Sequence, residues 1–145
     1  MKPARRSDYR FFADITTRWG DVDRIGHVNN AKYFTYDEQA RCLYMDQRIA
    51  AAELDLNKTQ FILAHIGCDF LVQLNHPSEI DYGIRAVRLG RSSIGLEGAA
   101  FVGDCCHCVT NSVLVWFDYH TQKAGPVPEP VRASILAFEP GQIEV

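Results

Sequence analysis

The sequence predicts an α+β fold in which an antiparallel sheet of about five strands wraps around one long central helix. Two observations favour this fold class. One long amphipathic segment follows the first strand, and four further segments alternate with period two without a second long helix between them. A sheet of this kind has exposed edges, so we expect two copies to associate edge to edge.

The first strand and the central helix carry half of the aromatic residues of the chain. The strand is predicted over Tyr9 to Trp19, with one face formed by Tyr9, Phe11, Ala13, Ile15, Thr17 and Trp19. The helix is predicted from about Asn30 to Ala52, with Asn29 or Asn30 as its N-cap. Its apolar stripe contains Tyr33, Tyr36, Ala40, Leu43 and Tyr44.

The rest of the sheet is predicted in four segments that alternate in polarity. They cover Phe61 to Leu74, Glu79 to Leu89, Ser92 to Gly103 and Cys106 to Tyr119. In the first of them, one face is predicted to carry Ile62, Ala64, Ile66, Cys68 and Phe70. The pair Gly90-Arg91 predicts a hairpin link, and a short closing helix is predicted over residues 131–137.

Length and composition predict one globular domain over residues 1–145. The net charge of −3 gives no reason to expect nucleic acid or an anionic membrane as a partner. Because no apolar run reaches ~20 residues and no secretory signal is visible, we expect a cytoplasmic protein. The basic residues Lys2, Arg5 and Arg6 predict a flexible, solvated tail over residues 1–7.

Five cysteines are an odd number, which argues against a disulfide framework. The run from Cys105 to Cys108 includes His107 and therefore invites a metal interpretation. In a regular strand, however, Cys106 and Cys108 would face one way while Cys105 and His107 face the other, and no second Cys/His pair lies at zinc spacing. The sequence thus predicts no metal site.

The segment from Arg18 to Asn30 is the most informative part of the chain. It places two acids, a glycine and an Asn-Asn pair directly before the start of the long helix. The first backbone N–H groups of a helix have no partner inside it, so they can donate to a developing negative charge. A carboxylate beside such donors is a plausible hydrolytic centre for an activated carbonyl.

On these residues the chain resembles the 4-hydroxybenzoyl-CoA thioesterase-like family of hotdog-fold acyl-CoA thioesterases. The resemblance rests on the Trp19-Gly20-Asp21-Val22-Asp23 and Gly26-His27-Val28-Asn29-Asn30 motifs, and it continues into the aromatic helix. It implies a hotdog fold, hydrolysis of an acyl-CoA, and a homodimer or homotetramer with each active site at a subunit interface. It implies no cofactor other than the coenzyme A carried by the substrate.

The resemblance also implies roles for individual residues. Asp23 matches the catalytic carboxylate, and the backbone N–H of Asn30 matches the donor that polarises the thioester carbonyl, whereas Asp21 is expected to support the loop. Substrate-binding residues are expected at Gly26, His27, Val28 and Tyr33. Exposed arginines at a chain reversal suit the phosphates of coenzyme A. Further substrate-binding residues are therefore predicted at Arg88 and Arg91, with the neighbouring Ser92 and Ser93.

Three alternatives stay open at this stage. Asp23 can act as a nucleophile or as a general base toward water. A hotdog dehydratase or hydratase of 3-hydroxyacyl or enoyl thioesters would instead need a catalytic His–acid pair, for which His27 and Glu38 are the local candidates. A non-catalytic acyl-thioester-binding module is the third interpretation. The acyl group, and whether coenzyme A or an acyl carrier protein carries it, are also open.

Overall fold

One antiparallel sheet and two helices make up the chain, whose computed structural model describes residues 3–50, 54, 59–141 and 143–145. The elements in order are β1 (Phe11–Thr16), α1 (Asn30–Ile49), β2 (Thr59–Phe70), β3 (Glu79–Leu89), β4 (Ser93–Val102), β5 (Cys105–Asp118), β6 (Lys123–Ala124) and α2 (Glu129–Phe138). The strands pair in the order β1-β3-β4-β5-β2, and β6 adds a short pairing to β5. The predicted α+β class is confirmed.

Helix α1 packs on the inner face of the sheet, mainly against β1 and β3. Its side of the core contains fully buried residues from the helix and from the strands, among them Ala40, Tyr44, Tyr82, Ile84, Ile94 and Leu96. Asn29 is the N-cap, since its side-chain Oδ1 accepts from the Ala31 N–H at 3.0 Å. The predicted end of the helix at Ala52 lies outside the described residues. No helix in the described part of the chain is long and apolar enough to cross a membrane.

Strand β2 is an edge strand, and its predicted face is wrong in part. A bulge between Leu63 and His65 shifts the register against β5. Before the bulge Phe61 lies opposite the buried Trp116, whereas after it Cys68 lies opposite the buried Thr110. Because a bulge inserts one extra residue, the alternation changes parity, and Ile62 does not share the face of Ile66, Cys68 and Phe70.

The first strand is shorter than predicted. It ends at Thr16, and Trp19 is 84% exposed in a short 3-10 turn over Trp19–Asp21 rather than on the buried face. Tyr9 is buried on the opposite side of the sheet from Phe11, in a second cluster with Ala99, Phe101, Cys106 and Val109. The alternation alone could not show that the chain changes direction at both ends of this strand.

The prediction of a solvated tail is wrong for Arg6. Its guanidinium lies 2.8 Å from Asp81 and stacks over the Phe12 ring at 5.0 Å, so this segment covers the outer cluster of the sheet. Lys2 lies outside the described residues.

The two central cysteines also differ from the prediction. A second bulge, at Ala100 and Phe101, places Cys106 in the outer cluster and Cys108 in the core beneath α1. All five cysteines are free.

Candidate active site

The loop between β1 and α1 is closed by its own backbone. The Asp23 N–H donates to the His27 carbonyl at 2.7 Å, and the Gly26 N–H returns to the Asp23 carbonyl at 3.1 Å. Gly26 has a φ of +93°, a conformation that side chains with a Cβ rarely adopt. The glycine of the motif is therefore what allows the chain to reverse between Asp23 and His27.

This reversal aims backbone donors at the Asp23 carboxylate. Its Oδ1 accepts from the N–H of Ile25 at 2.8 Å and from the N–H of His27 at 3.2 Å. Within the described part of the chain, no donor is bonded to the other oxygen, Oδ2. The side chain is half-buried, so one carboxylate oxygen is fixed while the second is open to a ligand or to water.

The start of α1 supplies a second open group beside this loop. Asn29 uses its side chain to cap the Ala31 N–H, and its own carbonyl accepts from the Lys32 N–H at 2.9 Å. The N–H of Asn30, the first residue of the helix, has no acceptor among the described residues. It therefore remains available as a hydrogen-bond donor.

Asp23 and Asn30 line the same cavity, which has a volume of about 300 Å³. The motif loop forms one wall, and the segment that follows β2 forms another. Tyr33 and Phe70 contact each other edge to face, with ring centroids 5.0 Å apart. The lining residues are Asp23, Ile25, His27, Val28, Asn30, Tyr33, Phe70, Leu71, Val72, Gln73 and Leu74.

The wall after β2 was missed in the sequence because residues up to Leu74 were predicted as strand. The strand ends at Phe70, and the following segment is held from below by His107, whose Nδ1 lies 3.2 Å from the Val72 carbonyl and 3.0 Å from the Gln73 carbonyl. His107, singled out as part of a cysteine-rich run, thus supports a wall of the cavity. Pro77 did not signal this earlier end, because it lies beyond Leu74 and therefore does not interrupt the predicted strand.

Asp21 occupies a different environment from Asp23, two residues away. Its side chain is 2% exposed and accepts a hydrogen bond from the Tyr36 hydroxyl at 2.5 Å. Burial alone would raise its pKa, but the bonds from Tyr36 and the Arg18 amide, with the charges of Arg18 and Lys32, outweigh burial and lower the pKa. Asp21 is therefore a buried, fully engaged carboxylate rather than an open one.

The predicted phosphate-binding residues do not join this cavity within one chain. Arg88, Arg91, Ser92 and Ser93 lie at the β3–β4 hairpin, whereas the Asp23 loop follows the opposite end of the sheet, where Thr16 pairs with Glu79. Arg91 instead lines a separate cleft of about 410 Å³ beside the start of α2, together with Arg132. The hairpin itself is confirmed, with the Gly90 N–H bonded to the Ser93 carbonyl at 2.8 Å.

His27 and Glu38, the pair required for the lyase hypothesis, are also separated. His27 lines the cavity, but Glu38 does not, and its side chain is 69% exposed near Arg41 on the outside of α1. Among the described residues, no group of three or more His, Cys, Asp or Glu side chains is arranged to hold a metal ion.

The sequence model of the thioesterase-like superfamily matches residues 17–135. The PA5185 protein of Pseudomonas aeruginosa has a similar structure, with a TM-score of 0.86, 27% identity, and coverage of 97% of this chain and 100% of that one. A thioesterase of Thermus thermophilus, solved with coenzyme A and zinc, is 32% identical with a TM-score of 0.81, over 94% of this chain and 98% of that one.

A curated relative, the uncharacterized protein YsmA of Bacillus subtilis, is 29% identical over 70% of this chain and 69% of its own length. The structural matches confirm the predicted hotdog fold.

Proposed function

Because the chain belongs to the thioesterase-like superfamily, we propose that it is an acyl-CoA thioesterase that hydrolyses an acyl thioester to the free acid and coenzyme A. One observation carries the proposal. Asp23, whose Oδ2 accepts no hydrogen bond from the described residues, and Asn30, whose N–H finds no acceptor among them, line one cavity, which supports a nucleophilic or basic group and an electrophilic donor acting on the same substrate.

The two groups match the two requirements of thioester hydrolysis. When the carbonyl carbon is attacked, negative charge develops on its oxygen, and the Asn30 N–H at the positive end of α1 is suited to stabilise that charge. Asp23 Oδ2 can attack the carbonyl directly and form a mixed anhydride, or it can take a proton from an attacking water. On the first route coenzyme A leaves as the thiolate and water then hydrolyses the anhydride to the free acid and Asp23; on the second, the attacking water itself becomes part of the acid as coenzyme A leaves.

The remaining lining residues suit the acyl part of a substrate. Tyr33, Phe70, Val72 and Leu74 supply apolar and aromatic surface next to the proposed reaction centre, while His27 and Gly26 shape the loop. In this proposal His27, Val28 and Tyr33 contact the substrate from the cavity lining, and Gly26, which does not line the cavity, contributes by shaping the loop.

Coenzyme A binding by the hairpin requires a second copy of the chain. Strand β2 is an edge, with Leu63 41% and Phe70 47% exposed. If two β2 edges pair antiparallel about a two-fold axis, the Thr59 end of one lies beside the Phe70 end of the other. That arrangement brings the hairpin end of the partner's sheet toward the cavity, and we propose that Arg88, Arg91, Ser92 and Ser93 act across such an interface.

The test is a panel of acyl-CoA substrates with short, long and aromatic acyl groups, with release of free thiol as the readout. We expect turnover of at least one class, and a loss of about 10²- to 10⁴-fold in kcat for Asp23→Asn. Asp14→Asn is the control, because Asp14 is an exposed acid on β1 outside the cavity.

Two outcomes would contradict the proposal. Binding of acyl-CoA without turnover across the panel supports an acyl-thioester-binding module. Unchanged thiol release by Asp23→Asn, together with conversion of 3-hydroxyacyl or enoyl thioesters, supports a lyase that uses His27.

A further inference from the structure

The loop that carries Asp23 is attached to α1 through a buried pair, Asp21 and Tyr36. We propose that these two are positioning residues, which fix the Asp23 carboxylate relative to the Asn30 N–H. This role deepens the proposed function and rests on it, because two residues that do not line the cavity would position the groups that react there.

The side-chain half of the link joins the loop to the second turn of the helix. The Tyr36 hydroxyl donates to Asp21 Oδ2 at 2.5 Å, and both side chains are buried, at 5% and 2% exposure. The Arg18 N–H donates to the same oxygen at 3.0 Å, and Lys32 Nζ lies 3.9 Å from Oδ1. A charge-assisted hydrogen bond shielded from water in this way holds its partners in one geometry.

The backbone half of the link reaches the other end of the loop. The Asp21 carbonyl accepts from the Asn29 N–H at 2.8 Å, and Asn29 caps the helix immediately before Asn30. One residue thus contacts α1 through Tyr36 and the helix cap through its carbonyl, while Asp23 follows it by two positions. Displacing Asp21 would move the carboxylate and the amide donor relative to each other.

Other anchors of the loop tie it to a different segment. The Val28 N–H donates to the Leu74 carbonyl at 2.9 Å, and His27 forms a bridge with Asn75. These bonds connect the loop to the wall after β2, whereas Asp21 attaches the loop to α1, through the short bond from the Tyr36 hydroxyl and the longer ion pair with Lys32. Because a displacement of ~1 Å can cost about 100-fold in rate, a pair that controls this attachment should affect kcat.

Tyr44 provides a matched control on the same helix. It is fully buried, and its hydroxyl donates to the carboxylate of Glu139 at 2.6 Å, so Tyr44→Phe removes the same type of bond as Tyr36→Phe. Glu139 follows α2 and also accepts from the Ala86 N–H at 2.9 Å, which places this bond on the far side of the core from the loop.

The experiment measures kcat, KM and thermal midpoint for the wild type, Tyr36→Phe and Tyr44→Phe, with amide hydrogen exchange over residues 21–30. We expect Tyr36→Phe to lower kcat by roughly 10- to 100-fold with KM changed less than about threefold, and to speed exchange in the loop. Tyr44→Phe should lower the midpoint without either effect. In the double variant with Asp21→Ala, kcat should fall no further than in the worse single variant, because alanine has no acceptor and both changes therefore break the same bond.

Equal kcat losses in Tyr36→Phe and Tyr44→Phe, or unchanged loop exchange in Tyr36→Phe, would overturn the positioning role. The two failures are distinguishable. If Asp23→Asn abolishes turnover but Tyr36→Phe does not lower kcat, only the positioning role fails. If the wild type hydrolyses no acyl-CoA, the proposed function fails, and the exchange comparison alone decides whether the pair fixes the loop.

Discussion

The chain holds two carboxylates close to α1 in contrasting ways. Asp37, on the inner face of the helix, is 1% exposed and is surrounded by side chains from three elements. Its Oδ1 accepts from Thr110 at 2.5 Å and from Tyr82 at 3.2 Å, and its Oδ2 lies 3.3 Å from Arg41 Nε. Burial raises its pKa, although Thr110, Arg41 and Tyr82 act in the opposite direction.

Asp23 lies in a loop and lines a cavity, and among the described residues only backbone amides hold it, by one of its two oxygens. We infer from this difference that the two carboxylates have different roles. The acid that side chains enclose on every side stabilises the packing of helix on sheet, whereas we propose that the acid that the main chain fixes by one oxygen keeps the other for chemistry. Substitutions around Asp37 should therefore lower the stability of the protein, whereas substitutions around Asp23 should lower its turnover.

The largest effect is expected at the start of α1. Asn30→Pro removes the one N–H proposed to stabilise the oxyanion, and proline is tolerated at the first position of a helix. We expect kcat to fall about 10²- to 10³-fold, with binding of acyl-CoA reduced much less. Asn30→Ala keeps the N–H and should retain activity. Equal losses in the two variants, in steady-state kinetics, would mean that the side chain and not the amide matters.

Gly98→Ala should instead disrupt the buried packing around Asp37. A Cβ at Gly98 would collide with Thr110 Oγ1 and lie 2.8 Å from Asp37 Oδ1, both buried between α1 and the sheet. We expect the free energy of unfolding to drop by about 3 kcal/mol in urea titration. At Gly125 the nearest atom to an added Cβ is 3.9 Å away, so Gly125→Ala is the control. A Gly98→Ala protein as stable as this control would show that the cluster is loosely packed.

Thr110→Val tests the same cluster with a smaller change. It removes the shortest donor to the Asp37 carboxylate while keeping the shape of the side chain, and should cost about 1.5 kcal/mol of unfolding free energy. Turnover per folded molecule should be unchanged, because Thr110 does not line the cavity. Loss of kcat without loss of stability would contradict the separation of the two regions.

Asp37 and Asp21 should also differ in how pH changes their contributions to the free energy of unfolding, with effects of about 1 kcal/mol. The pKa of Asp37 is raised in the folded state, so protonation favours folding and its contribution to stability falls as pH rises through that pKa. The pKa of Asp21 is lowered, so its contribution is present above the ordinary value of 3.8 and is lost as pH falls below it. The stability difference between wild type and Asp21→Asn should therefore shrink in acid, as measured by denaturant unfolding at several pH values.

Much of this architecture could be predicted from the sequence because it depends on local patterns. The period of the aromatic stripe indicated α1, the Asn-Asn pair indicated its start, and Gly90 indicated the hairpin. The predictions of strand faces were wrong where one inserted residue changes the geometry of a strand. The bulge at Leu63 and His65 reverses the face of half of β2, and no composition signal marks it.

The candidate site was predictable to the extent that it lies within one segment. Asp23, Gly26 and Asn30 are neighbours in sequence, so the loop and helix start could be deduced together. The wall after β2 and the Tyr36 bond to Asp21 depend on tertiary packing between distant residues. The position of Arg88 and Arg91 relative to the cavity depends on which strands are neighbours, which periodicity does not reveal.

The most direct measurement is a crystal structure of the protein with an acyl-CoA analogue in which a methylene group replaces the thioester sulfur. We expect the analogue's carbonyl oxygen to lie ~3 Å from the Asn30 nitrogen and its carbonyl carbon to lie ~3 to 3.5 Å from Asp23 Oδ2. A carbonyl bound elsewhere, with the Asn30 amide facing solvent and Asp23 untouched, would contradict this expectation.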